Sequence, residues 1–220
     1  DRKRVAMRRM VMKNQEINMQ AGEMLRRLDS TTYNHSVRVM MISAEVEEYL
    51  NLTDHKLMCA ALFHDIGKAY VPFDILDKKE RLTGLERELV DLHSYFGYCM
   101  LNSIKVEEDI CRIVLYHHGF RPLTIRDLGH YDNNNVYEKA QMLHTIDAFE
   151  ALTSDRPYHR GLPSKEALKI LVREGKYEQR TLEYITEVSS KDEIGTSAIH
   201  RNGFENNPDF INQLIIGMSL

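Results

Sequence analysis

The dipeptide His64-Asp65, within the segment ALFHDIGK, belongs to a series of histidines and aspartates spread along this chain. The other members come before and after it at wide intervals: His35, His93, the pair His117-His118 and Asp147. Five imidazoles and two carboxylates are the ligands expected of a site with two metal ions, rather than of a single zinc ion. The sequence therefore predicts metal-assisted phosphate chemistry.

The ligand types also narrow the choice of metal. Imidazoles and carboxylates together suit borderline transition metals better than magnesium or calcium, which prefer shells of oxygen atoms. We therefore expect two divalent transition-metal ions as cofactors, with iron or manganese favoured and zinc, nickel or cobalt as alternatives.

Length and composition describe an ordinary globular chain. Its 220 residues can bury a substantial core, and one main domain is expected. The net charge of -4 gives no general signal for binding DNA or RNA, so a nucleotide must be held by a local site. No apolar run approaches the roughly 18 residues that a membrane-spanning helix needs. Three cysteines without CxxC spacing indicate reduced core thiols in a cytoplasmic protein: Cys59, Cys99 and Cys111.

Helical patterns dominate the chain, and no convincing alternation of a β-strand is present, which predicts an all-α fold. Helices are predicted over residues 2–28, from the capping cluster 29–32 to about 51, and over 54–66, 85–102, 107–118, 137–152 and 164–174. Gly67 is expected to end the helix over 54–66. The stretch 70–83 should be a connection with short helical pieces, and 119–135 a long loop directly after two candidate ligands.

Three parts of the chain are expected. Residues 1–29 form an N-terminal helix, compatible with a linker from an upstream sensory or receiver domain. Residues 30–187 form the catalytic domain, and residues 188–220 form an extension that packs on it. Methionines recur at helical intervals in the first helix, which should pack on the core and is also compatible with a homodimer contact.

The spaced ligands carry a family resemblance. His35, HDIGK at 64–68, His93, the pair at 117–118 and Asp147 resemble, in the same order, the ligand series of the HD superfamily of metal-dependent phosphohydrolases. Within it, ALFHDIGK, YHH and TIDAFEALTSDRPY are similar to the HD-GYP branch, which degrades cyclic di-GMP in bacteria. The resemblance covers roughly residues 30–175 and implies a compact multi-helix HD-domain bundle with a dinuclear metal site.

The resemblance also implies a role for each residue. One metal ion would be bound by His35, His64, Asp65 and Asp147, and Asp65 would bridge to a second ion bound by His93, His117 and His118. Two ions would lower the pKa of a bridging water, whose hydroxide attacks the phosphate. Lys68 could place its charge on a phosphate oxygen if the helix continues through Gly67. Arg156, in SDRPY, resembles the phosphate-binding arginine of the family.

The chain departs from the family pattern at two places. Gly119 stands where the HD-GYP branch has a glutamate, and the GYP tripeptide is absent from the segment HHGFRPLTIRDLGHYDNNN. That loop helps to shape the substrate pocket in the family, so this difference bears on the substrate. Members with three metals also have a glutamate four residues before the first histidine ligand. Thr31 occupies that position, which predicts two metals and not three.

The leading hypothesis is a metal-dependent phosphodiesterase that hydrolyses cyclic di-GMP or a related cyclic dinucleotide. Two alternatives stay open. One is a nucleotide phosphohydrolase or phosphomonoesterase of the wider HD superfamily. The other is a signalling module that binds a nucleotide or a protein without turnover, since a fold does not by itself establish an activity.

Overall fold

A computed structural model describes residues 2–119, 133–155 and 160–190, together with Ile215, Met218 and Leu220. Every regular element in these ranges is a helix, which confirms the all-α prediction. The α-helices are α1 (Arg2–Leu25), α2 (Ser30–Tyr49), α3 (Lys56–Phe63), α4 (Phe73–Leu76), α5 (Gly84–Asp91), α6 (His93–Ser103), α7 (Glu108–Tyr116), α8 (Asn134–Thr153), α9 (Ser164–Glu174) and α10 (Gln179–Ser190). A 3₁₀ helix, Ile66–Tyr70, follows α3.

Four helices, α2, α3, α7 and α8, pack around one another and form the centre of the bundle. Their facing side chains include Val39, Phe63, Ile113 and Ile146, each with no exposed surface. Helix α6 packs on α7 and on the 3₁₀ helix, while α9 and α10 cover α8. Burial of this apolar surface is the main force that holds the helix ends in fixed positions.

Local signals explain where several helices begin and end. The Asp29 carboxylate accepts hydrogen bonds from the backbone N–H groups of Thr31 and Thr32, which start α2. Thr83 and Glu86 form a reciprocal capping box at the start of α5. Gly175 ends α9 with a φ of 65°, in the left-handed region that glycine enters most readily.

The predicted helix over residues 54–66 differs from the structure at its end. Helix α3 already ends at Phe63, and the chain continues through Gly67 as the 3₁₀ helix instead of stopping there. A Cβ atom on Gly67 would collide with the carbonyl oxygen of His93. Glycine is therefore required at this position by the close approach of α6, not by a left-handed cap.

The single helix predicted over residues 85–102 was wrong, because the structure has two helices there. The backbone N–H of Leu92 bonds to the carbonyl of Leu89 in a tighter turn, and α6 then begins at His93. Helix α10 was not predicted, and α8 begins three residues before the predicted start. Helix α9 has the bounds that were predicted, and α4 is a short helical piece within the predicted connection.

The first helix packs on the core, as predicted, but two of its methionines do not. Helix α1 buries Ile17, Ala21 and Leu25, whereas Met12 and Met19 are 68% and 61% exposed.

All three cysteines are free. Two of them are buried, but Cys99 is exposed on α6, so the prediction that all three are core thiols was wrong for Cys99. No helix among the described residues is both long and apolar enough to cross a bilayer.

Candidate metal centre

Side chains from five different parts of the bundle meet beside the central helices. The structure brings together all the ligands that the sequence predicts: His35 on α2, His64 and Asp65 after α3, His93 at the start of α6, His117 and His118 after α7, and Asp147 on α8. Their donor atoms form three overlapping groups, and the atoms of each group all lie within 4.8 Å of one another. The groups are His93, His117 and His118; His35, His64 and Asp147; and His64, Asp65 and His117.

Asp65 lies between the two groups of histidines. Its Oδ2 atom is 3.6 Å from Nε2 of His35 and 3.5 Å from Nε2 of His64. Its Oδ1 atom is 3.4 Å from Nε2 of His93, on the other side. Since each carboxylate oxygen faces a different group of imidazoles, this side chain has the geometry needed to bridge two cations.

Three of the histidines are oriented by a shared backbone contact. The Nδ1 atoms of His64, His93 and His117 each contact the carbonyl oxygen three residues earlier, at 2.8, 2.6 and 2.6 Å. A carbonyl can only accept, so each Nδ1 carries the hydrogen and each Nε2 keeps its lone pair. His64 and His117 directly follow α3 and α7, and His93 follows α5 after one residue, so each carbonyl belongs to the last turn of a helix and can accept a further hydrogen bond. The helix ends therefore aim the Nε2 atoms inward.

The buried donor set fits a metal. Nε2 of His64 is buried and has no hydrogen-bond partner among the described residues. Nε2 of His93 lies 3.4 Å from Nε2 of His117, and neither atom carries hydrogen in the tautomer set by its backbone contact. Lone pairs that converge without a donor are unfavourable in a buried site unless a cation is bound between them.

Glu150 completes the site, and sequence reasoning missed it. Its Oε2 atom contacts Nδ1 of His35, and its other oxygen contacts Nε of Arg38 and Oγ of Ser154. Burial would raise the pKa of Glu150, but His35 and Arg38 outweigh it and lower the pKa to about 2. A spacing of three residues from Asp147 on one helix was the available signal, because such residues share a face.

His35 differs in protonation from His93 and His117. Burial lowers the pKa of His35, but Asp147 and Glu150 outweigh burial and raise this pKa to about 9. Burial lowers the pKa of His93 to about 3 and holds that of His117 well below its usual value. The His93 side of the site is therefore already neutral, the form in which imidazole binds a metal.

Lys68 reaches the site because the 3₁₀ helix continues through Gly67. Its Nζ atom lies 2.6 Å from Oδ2 of Asp65. Burial would raise the pKa of Asp65, but Lys68 and the nearby histidines outweigh burial and hold it well below its usual range. Lys68 lines a cleft beside the ligands, as do Ser154 and Asp155. The predicted phosphate ligand Arg156 lies outside the described residues, as does most of the loop that lacks GYP.

Comparisons with known proteins identify the family of this chain. A family described as HD domain matches residues 32–152. A cyclic di-GMP phosphodiesterase of Pseudomonas aeruginosa is 34% identical over 149 residues, which are 66% of this chain and 36% of that protein. A 3'3'-cGAMP-specific phosphodiesterase of Vibrio cholerae is 30% identical over 143 residues, which are 64% and 31%. The chain thus spans about a third of the length of these curated relatives.

A solved structure shares the fold. The HD domain of the Listeria monocytogenes phosphodiesterase PgpH, in complex with cyclic-di-AMP, aligns with a TM-score of 0.57. The alignment covers 77% of this chain and 94% of that domain at 16% identity. At that identity the likeness supports the arrangement of helices and nothing about the ligand.

Proposed function

This chain belongs to the HD domain family, and from that premise we propose that it is the catalytic unit of a metal-dependent phosphodiesterase. Its substrate would be cyclic di-GMP or a related cyclic dinucleotide. Relatives whose names state such activities support this proposal, and the match to the HD domain family, over residues 32–152, contains all the proposed ligands.

The position of Asp65 between two groups of imidazoles is the observation that supports this function most strongly. Its two oxygens face His35 and His64 on one side and His93 on the other. Two divalent ions, when bound, would polarise a phosphate oxygen and lower the pKa of a water. The resting protein contributes preformed ligands, because the helix ends already hold three imidazoles in the ligand tautomer.

Two cationic side chains are proposed to hold the phosphate. Lys68 lies at the border between the ligands and the cleft, and its side chain is a quarter exposed. Once cations neutralise Asp65, the ammonium group is available to a non-bridging phosphate oxygen. Arg156 follows Ser154 and Asp155, which line the same cleft, and a guanidinium there would bind a phosphate in a bidentate manner.

We propose two metals and not three. The acidic residue nearest to Thr31 in the sequence is Asp29, two residues before it. Asp29 accepts from the backbone N–H groups of Thr31 and Thr32 and from Oγ1 of Thr32. It is therefore engaged in capping α2. The mixed imidazole and carboxylate set supports iron or manganese, with zinc, nickel and cobalt as alternatives.

Elemental analysis of freshly purified protein, combined with product analysis, tests the proposal. The substrates would be cyclic di-GMP, its linear form, cyclic GMP-AMP and several mononucleotides. Metal-dependent cleavage of the cyclic dinucleotides supports the proposed function. Release of inorganic phosphate from mononucleotides alone would support a phosphomonoesterase instead. Equal binding of cyclic di-GMP with and without metal, and no product, would support a signalling module.

Two further properties are proposed for this chain, a contact with a second copy and a cytoplasmic location. Met12 and Met19 are exposed on α1, and we propose that this face contacts a second copy of the chain. Removal of residues 1–25 would then convert a dimer into a monomer, as shown by the molecular mass in solution. The free cysteines support a cytoplasmic location.

A further inference from the structure

A cleft of about 270 Å³ extends from the ligand residues to the short helix α4. Its inner end is lined by His35, Asp65 and Lys68, and its outer wall includes Phe73 and Leu76. A single solvent space therefore joins the charged site to an apolar surface. A ligand that fills this cleft needs a charged end and a face that can lie against hydrocarbon.

Phe73 is the aromatic side chain of this wall, and it is 63% exposed. The backbone beneath it is well supported, because the N–H of Ile75 bonds to the carbonyl of Pro72 at 2.9 Å and that of Asp77 to Phe73 at 2.8 Å. The neighbouring Val71 is buried and holds the start of this turn on the body. The ring is thus presented to solvent by an ordered segment.

The wall differs in chemistry from the rest of the cleft. Phe73 and Leu76 supply flat and aliphatic surface, whereas Lys68 supplies positive charge at the inner end. A nucleotide combines the matching groups, since its phosphate is anionic and every nucleobase has a π-face that stacks on an aromatic ring. Stacking does not read the hydrogen-bonding edge of the base, so it accepts guanine and adenine alike.

We propose that Phe73, supported by Leu76, is the stacking surface for one base of the cyclic dinucleotide whose phosphate lies against Lys68. This inference rests on the proposed function, because the charged end of the ligand is assigned by the metal centre. Base binding is thereby assigned to α4, which lies between the 3₁₀ helix and α5 in the chain. The segment after His118, which helps to shape the substrate pocket in the HD-GYP branch, lacks the GYP tripeptide here.

The chain offers a matched control three residues away. Tyr70 is 64% exposed, almost the same as Phe73, but it is absent from the described lining of the cleft. Its ring is tilted against Phe96, with 5.9 Å between the ring centroids. Replacement of Tyr70 therefore removes a comparably exposed aromatic ring outside the cleft.

The test compares Phe73→Ala, Phe73→Trp and Tyr70→Ala in the full, metal-loaded chain. Steady-state kinetics on cyclic di-GMP would give KM and kcat, and calorimetry with a phosphorothioate analogue that resists hydrolysis would give Kd. Loss of one stacked base should raise KM and Kd by about 5- to 100-fold in Phe73→Ala, with a much smaller change in kcat. Phe73→Trp should retain the affinity, Tyr70→Ala should match the parent, and metal content should be unchanged in all three.

The outcomes separate this inference from the proposed function. Unchanged Kd and KM in Phe73→Ala, in a chain that hydrolyses cyclic di-GMP, would overturn the stacking surface and leave the function intact. Phe73-dependent binding without any hydrolysis would retain the stacking surface and overturn the function. A parent chain that neither binds nor hydrolyses a cyclic dinucleotide would contradict both. A loss of affinity for guanine but not adenine dinucleotides would also contradict stacking.

Discussion

Glu150 contacts Nδ1 of His35 through a carboxylate oxygen, although 115 residues separate the two positions in the sequence. The carboxylate can only accept, so Nδ1 carries the hydrogen and Nε2 faces Asp147 at 3.0 Å. Arg38 and Ser154 hold the other oxygen of Glu150. The Glu150 carboxylate therefore orients the His35 ring, as backbone carbonyls orient the rings of His64, His93 and His117.

Replacement of Glu150 should therefore weaken metal binding at the His35 side. We expect Glu150→Ala to lower metal affinity or activity by about 10- to 100-fold, and Glu150→Gln to lose less, because its amide oxygen can still accept. Elemental analysis would measure the metal content, and ¹⁵N shifts recorded above pH 9, where His35 is neutral, would report its tautomer in the metal-free protein. Glu166→Gln on the exposed face of α9 is the control. Full metal content with an unchanged His35 tautomer in Glu150→Ala would contradict this role.

Asp65 and Asp147 should differ in how many ions their loss removes. Asp65 faces both groups of imidazoles, whereas Asp147 belongs to the group with His35 and His64. We expect Asp65→Ala to lose both ions and all phosphodiesterase activity, and Asp147→Ala to keep about one ion per chain. Elemental analysis after gel filtration decides between these results. Equal metal content in the two variants would show that Asp65 does not bridge.

The candidate ligands of this site could be identified from the sequence because their residue types and their positions near helix ends are local signals. His64, His93 and His117 each have a carbonyl of a helix's last turn three residues earlier, and such carbonyls can accept from a side chain at any helix end. The residue types alone also predict the class of metal. For the same reason, the apolar runs that build α2, α3, α7 and α8 could be assigned as helices from their periodicity.

The remaining features depend on contacts that are distant in sequence. Glu150 meets His35 only because α8 packs on α2. The role of Gly67 depends on the approach of α6, and no local pattern distinguishes it from an ordinary helix stop.

Lys68 should affect catalysis without affecting metal content. Once cations neutralise Asp65, Lys68 is no longer needed to balance its charge, so Lys68→Met should retain the parent metal content. We expect its kcat/KM for cyclic di-GMP to fall on the order of 10²-fold, as for the loss of one donor to a developing negative charge. Lys169→Met, exposed on α9, controls for the change in net charge. A variant that loses metal and activity in parallel would assign Lys68 to the stability of the site instead.

The capping box of α5 should respond to acid. Lys78 and Thr83 lower the pKa of Glu86 from 4.5 to about 2. A lowered folded-state pKa means that the interaction stabilises α5 fully above about pH 4.5 and is lost as the pH falls through 2. An NMR titration of the Glu86 carboxyl should show this shift, and Lys78→Met or 1 M salt should reduce it. A normal pKa for Glu86 in the parent chain would exclude this contribution.

Gly67 and Gly84 should respond in opposite ways to the same substitution. A Cβ on Gly67 would collide with the carbonyl of His93, whereas a Cβ on Gly84, in the first turn of α5, meets nothing within 4 Å. Gly67→Ala should thus lower the free energy of unfolding by about 1–3 kcal/mol and reduce metal content by displacing His93. Gly84→Ala should be neutral or stabilising by up to about 1 kcal/mol. Urea unfolding of the metal-free proteins measures both, and equal stabilities would contradict the close approach of α6.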